Sequence, residues 1–175
     1  MAEIGLIASV IGVAGAGLKL SITLYTFSET VATAADSIKA IAKDVSLTSA
    51  VLEELGSNLK HDEQARLYSS TALKTAQTVV VDCEAVFKQI DGALSKSMER
   101  ISGLSGNGRR KGKGGKVVLS AMEKLKWPFL QPKMQELRAN LERLKSTLVL
   151  MLNVLTYARK VQTEYATSDC IVRAW

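Results

Sequence analysis

The chain has 175 residues, 47% of them apolar, with two prolines, two cysteines and 5% aromatics. That length suits one domain with a sizeable core. Cys83 and Cys170 lie far apart with no CxxC, which excludes a disulfide framework and points to a reducing compartment. The net charge of +6 resides in Arg100, Arg109, Arg110, Lys111, Lys113 and Lys116. Elsewhere 17 basic residues face 17 acidic ones, which excludes a generally basic polymer binder.

The first element is the most apolar one. From Ile4 to Leu18 no residue is charged, and Glu3 is the only charge before Lys19. A secretory leader is disfavoured, because the opening residues carry an acid and no basic side chain. Two readings remain, and they are compatible. Fifteen helical residues would reach only about 22 Å, short of the roughly 30 Å hydrocarbon core, which suits a helix buried in a soluble core. Beyond Lys19 the chain stays uncharged to Ser28, so residues 1–28 form a membrane-active segment long enough to span if Lys19 faces a pore or a partner. Small residues recur at four-residue intervals, as Ala8, Gly12 and Ala16 and as Gly5, Ser9 and Gly17, a spacing that lets membrane helices approach closely.

Residues 36 to 60 predict a helix, with Asp36 as N-cap and Ile38, Ile41, Val45, Thr48, Leu52, Leu55 and Leu59 on one face. A polar exit follows at Ser57, Asn58, Lys60, His61 and Asp62. Residues 63 to 101 predict a second helix on the stripe Leu73, Ala76, Val80, Cys83, Phe87, Ile90, Leu94, Met98 and Ile101. Its period overrides the strand preference of Val79, Val80 and Val81.

Residues 102–116 read as a basic glycine-rich loop. Gly103 and Gly108 have the glycine spacing of a phosphate-binding loop. Arg109 and Arg110 stand where lysine and a hydroxyl are required, so that chemistry is rejected. A short helix is expected from about Val117 to Lys126, stopped at Trp127-Pro128, with Pro128 or Pro132 opening the next one. The last helix carries the cleanest repeat: Leu130, Met134, Leu137, Leu141, Leu144, Leu148, Met151 and Leu155 alternate by four and three. Its apolar face widens between Leu148 and Leu155 to include Val149, Leu150, Leu152 and Val154, which predicts burial on several sides.

The expected fold is all-α, an antiparallel bundle of four to six helices behind an apolar glycine-rich N-terminal helix. The only histidine, His61, has no convergent partners, and no HExxH, CxxC or calcium-loop pattern occurs. Neither an enzyme nor a cofactor is therefore expected.

Three stretches together resemble the fungal N-terminal domain of signal-transducing NTPases with numerous domains, a HeLo-like helical domain. They are the opening Met1–Leu18, the Ile38-x-x-Ile41-Ala42-x-x-Val45 run leading to Leu52-Glu53-Glu54-Leu55, and Lys126-Trp127-Pro128-Phe129 ahead of the leucine heptads. The resemblance covers most of the chain and implies a bundle that acts as a cell-death effector or signalling module. In that group and in the related mixed-lineage-kinase-like bundles, a signal oligomerises the domain, which moves from the cytoplasm to the plasma membrane and attacks it. An upstream NLR-like or amyloid-signalling activator is implied.

On this reading Ile4, Gly5, Leu6, Ile7, Ala8, Val10, Ile11, Gly12, Val13, Gly15, Ala16, Gly17 and Leu18 insert into the membrane. Glu3 stands at the pore mouth, and Arg109, Arg110, Lys111, Lys113 and Lys116 attract anionic lipid. Nucleic acid is not expected, because no aromatic residues interleave with those charges. The alternative is a non-lytic interaction module that self-associates through the seam of Leu137, Leu141, Leu144 and Leu148.

Overall fold

The computed structural model describes residues 2–30, 35–62, 70–104 and 121–173, and all of them are helical. Four helices result: α1 (Ala2–Thr30), α2 (Ala35–Asp62), α3 (Ser70–Leu104) and α4 (Ala121–Arg173). No strand occurs among the described residues.

Helix α1 packs on α2 and α3, and α4 packs on the same two helices. Contacts within the pairs α1/α4 and α2/α3 are sparse by comparison. Contacts fix two directions. Val10 and Ile11 meet Gly56, Gly17 meets Ser49, and Ser21 bonds Ala42, so α1 and α2 run antiparallel. Arg138 pairs with Asp44 and Arg159 reaches the carbonyl of Asn58, so α2 and α4 run parallel, a departure from the antiparallel order expected of neighbouring helices.

Most of each apolar stripe read from the sequence forms the core, but Met98 is exposed and Leu73, Met151 and Leu155 are only partly buried. Ile38, Ile41, Val45, Thr48, Leu52, Leu55 and Leu59 of α2 are all buried, as are Ala76, Val80, Cys83, Phe87, Ile90 and Leu94 of α3. Met134, Leu137, Leu141, Leu144 and Leu148 of α4 join them, with Leu6, Val10, Val13, Leu20, Leu24 and Phe27 of α1. Full burial of such side chains stabilises by about 1.5–3 kcal/mol each, so the shared core holds the four helices together.

Several local expectations need correction. Helix α2 begins at Ala35, which places Asp36 in its first turn instead of at the N-cap. The carboxylate still complements the positive end of the helix there. The polar run Ser57 to Asp62 continues the helix, because polarity alone does not end one. Helix α3 extends to Leu104, through Gly103: one glycine costs only about 1 kcal/mol, too little to stop a long helix.

The larger correction concerns the prolines. The predicted break at Trp127-Pro128 is absent, and α4 runs unbroken through Pro128 and Pro132 for 53 residues. Each proline removes one backbone hydrogen bond, at about 3 kcal/mol, but the helix resumes because its downstream stripe is anchored in the core. Residues 117–120 of the expected short helix lie outside the described residues.

The broad apolar face of α4 is not buried on several sides either. Leu152 is buried, whereas Val149, Leu150 and Val154 are 40%, 64% and 59% exposed. The reason is topological: α4 packs chiefly on α2 and α3, through its opposite face.

Candidate functional site

Helix α1 is apolar on every side, and its two sides do different things. One side is keyed into α2 by small residues. On α2, Ala35, Ala42, Ser49 and Gly56 recur every seventh position; on α1, Ala14, Ser21 and Ser28 do the same. Small side chains let backbones approach closely.

Gly17 marks the closest approach. A Cβ there would overlap Ser49 Oγ and Phe87 Cε2 and would lie 2.8 Å from Phe87 Cζ. Gly56 gives room in the other direction: a Cβ there would sit 3.1 Å from Ile11 Cγ1 and 3.3 Å from Val10 Cγ1. Between these points Ser21 Oγ donates to the Ala42 carbonyl at 2.9 Å, inside the interface.

The other side of α1 is exposed and still apolar. Ile11, Leu18, Ile22 and Tyr25 are 48%, 50%, 60% and 42% exposed. At 3.6 residues per turn they fall within a ~60° arc, a continuous stripe. Beside them lie Ala8, Gly12, Gly15 and Ala16, also exposed, and a Cβ on Gly5, Gly12 or Gly15 would meet nothing within 4 Å.

Polar groups on this helix are largely self-contained. Thr23 and Thr26 donate to the carbonyls of Lys19 and Ile22, each at 3.0 Å. Ser28 and Thr30 donate to Tyr25 and Phe27, at 2.6 and 2.7 Å. Hydroxyls bonded back to their own helix carry little cost in an apolar medium. Lys19, exposed, is the one charge between Gly5 and Ser28.

Length matters as well. Gly5–Thr30 is a 26-residue stretch long and apolar enough to cross a membrane, and only 39% of its apolar window is buried. At ~1.5 Å per residue it covers about 39 Å, more than the hydrocarbon core. The short reach expected of residues 4 to 18 is exceeded because α1 continues past Lys19 to Thr30.

The predicted residues thus divide. Leu6, Val10, Val13 and Gly17 face the core, and Ile7 is half-buried. Gly5, Ala8, Ile11, Gly12, Gly15, Ala16 and Leu18 face outward. The Gly5, Ser9, Gly17 line is split, since a four-residue step drifts around the helix and Gly17 ends inside. Glu3 and Ile4 lie in the first turn of α1, with side chains outside the described residues. Arg109, Arg110, Lys111, Lys113 and Lys116 also lie outside them.

Leu137, Leu141, Leu144 and Leu148 are buried against this chain's own helices, so that seam is not open to a partner. Sequence reasoning missed Ile22 and Tyr25 on the outer stripe and the small residues of α2. A search for small residues at seven-residue spacing would have found the latter.

A second polar feature ties α4 to α2. Arg138 Nε donates to the buried Asp44 Oδ2 at 2.5 Å. Close by, Lys145 pairs with Glu142 at 2.5 Å, and that hydrogen bond holds the Glu142 carboxyl below its usual range. Cys83 is buried, and desolvation, with the Asp82 charge beside it, pushes its thiol up to about 12. No group of three or more His, Cys, Asp or Glu side chains converges among the described residues. Comparison with family models, curated proteins and solved structures finds no match to this chain.

Proposed function

We propose that this chain is a HeLo-like helical bundle that works as a membrane-targeting, pore-forming cell-death effector. One observation carries the reading: α1 is long enough to span a bilayer, apolar on both faces, and has only 39% of its apolar window buried in the core. An ordinary core helix turns a polar face to water. Helix α1 instead turns Ile11, Leu18, Ile22 and Tyr25 outward.

In the resting protein α1 packs on α2 and α3. On activation the outer stripe meets lipid first, and the inner face follows as α1 leaves the core. Gly5, Gly12 and Gly15 then allow copies of α1 to pack closely. Lys19, near the middle of the span, faces the water-filled side, because a lysine at the bilayer centre costs about 2.5–3.5 kcal/mol. Glu3 lies at the pore mouth. The basic residues from Arg109 to Lys116 draw the cytoplasmic protein to anionic lipid of the plasma membrane, at about 1 kcal/mol per charge.

Dye release from anionic liposomes tests the proposal. Deleting α1 would remove core side chains, so exposed positions are the sharper probes. Leu18→Glu and Ile22→Glu should cut release by tenfold or more with circular dichroism unchanged, since each places a charge in the hydrocarbon. Undiminished release by both variants, or none from the wild-type chain, sinks the mechanism. The latter result leaves the non-lytic signalling module as the reading.

A further inference from the structure

Helix α4 carries two seams on opposite faces. The inner one, from Met134 to Leu152, fills the core. Arg159 reaches the Asn58 carbonyl from that same side. The outer one consists of Leu150, Val154 and Tyr157, which are 64%, 59% and 70% exposed, followed by the half-buried Val161. These four alternate by four, three and four, the spacing of a helix-pairing seam. Their exposure leaves them uncovered among the described helices, and α4 packs chiefly on α2 and α3.

Charge placement says what does cover them. Arg143 and Glu164 are exposed, lie on the same face, and bracket the apolar stretch at its two ends. Place a two-fold axis between Asn153 and Val154 and lay a second α4 antiparallel on the first. Leu150 then meets Tyr157 of the other copy, and Arg143 meets Glu164, at both ends of a contact about 32 Å long. A parallel pairing would instead set Arg143 against Arg143 and Glu164 against Glu164. A symmetric contact needs a self-complementary surface, and this face is self-complementary only in the antiparallel sense.

We propose that the outer face of α4 is a homodimer interface, in which two copies pair antiparallel about Val154. The inference does not rest on membrane insertion. Because α4 makes few contacts with α1, the outer stripes of both α1 helices stay free in the dimer.

Sedimentation of the full chain without lipid tests it. The wild-type chain should be a dimer. Leu150→Glu should raise its dissociation constant about 100-fold, with the fold intact because the position is exposed. Arg143→Glu and Glu164→Arg should each weaken the dimer about tenfold, since each sets like charges together at both ends. The diagnostic result is rescue: an equimolar mixture of those two single variants should form a heterodimer of wild-type strength, because every pair is then opposite in sign. A monomeric wild-type chain, single variants that dimerise as tightly as wild type, or a mixture that stays weak each overturns the proposal. Liposome binding abolished by Leu150→Glu in a monomeric protein would overturn it too, assigning the face to lipid. Dye release by the α1 variants is read separately, so either proposal can fail alone.

Discussion

Gly17 is where the attachment of α1 can be weighed against its helix propensity. Alanine at a helical glycine ordinarily stabilises by about 1 kcal/mol. At Gly12 the new methyl would meet nothing within 4 Å, so Gly12→Ala should deliver most of that gain. At Gly17 the same methyl overlaps Ser49 Oγ and Phe87 Cε2. Neither can step aside: the Phe87 ring is 4% exposed, and Ser49 Oγ is held by the Val45 carbonyl at 2.8 Å. Overpacking of this kind costs about 1–3 kcal/mol, and here it involves two neighbouring helices, so about 3 is the relevant end. Net of propensity, Gly17→Ala should destabilise by about 2 kcal/mol. For a chain of this size that lowers the melting midpoint by about 4–8 °C, whereas Gly12→Ala should raise it by about 2–4 °C. Thermal and urea unfolding followed by circular dichroism gives both numbers. Equal, stabilising shifts from the two alanines would refute the close approach of α1 to α2 and α3.

Two further expectations concern buried chemistry. Cys83 has a folded pKa raised from 9.0 to about 12, so its stabilising contribution is complete below pH 9 and is lost as the pH climbs from 9 toward 12. In a Cys170→Ser background the folded protein should resist thiol reagents at pH 8 and react at once in urea; rapid labelling of the native form contradicts this burial. Arg138→Met strands the buried Asp44 carboxylate without its cation and should cost about 1–3 kcal/mol, part of which Asp44→Asn restores in the double variant. Additive losses in a double-mutant cycle would show that the pair does not act together.

Helix existence and inward faces were legible because both follow from apolar periodicity. Ile38 to Leu59 and Ala76 to Leu94 are buried as their spacing predicts. What periodicity conveys poorly is which faces lack a neighbour. Leu150 and Val154 look like core because they are apolar, and only the packing of α4 on α2 and α3 through its opposite face leaves them outside. The proline rule failed at Pro128 for a related reason: it weighs one local turn, while the long stripe that follows decides the helix. On α1 the glycines were visible, but their roles were not. Gly12 and Gly17 are the same residue five positions apart, one open and one closed by Phe87, and that difference belongs to α2 and α3.

The energetics of α1 set a condition on any release. Leu6, Val10, Val13, Leu20, Leu24 and Phe27 are buried in the core. Exposing six such side chains to water costs on the order of 10 kcal/mol, as much as the entire stability of many domains. Spontaneous exposure of a free α1 is therefore negligible at rest. Transfer straight into lipid removes most of that cost, because the side chains pass from one apolar medium to another, and the stripe of Ile11, Leu18, Ile22 and Tyr25 adds a gain that the resting protein lacks. The outer stripe thus biases the exchange toward the membrane, and the small-residue interface with α2 opposes it. Loosening that interface should speed dye release, and shrinking the stripe should slow it. Gly17→Ala and Ile22→Glu therefore move the same assay in opposite directions under this mechanism.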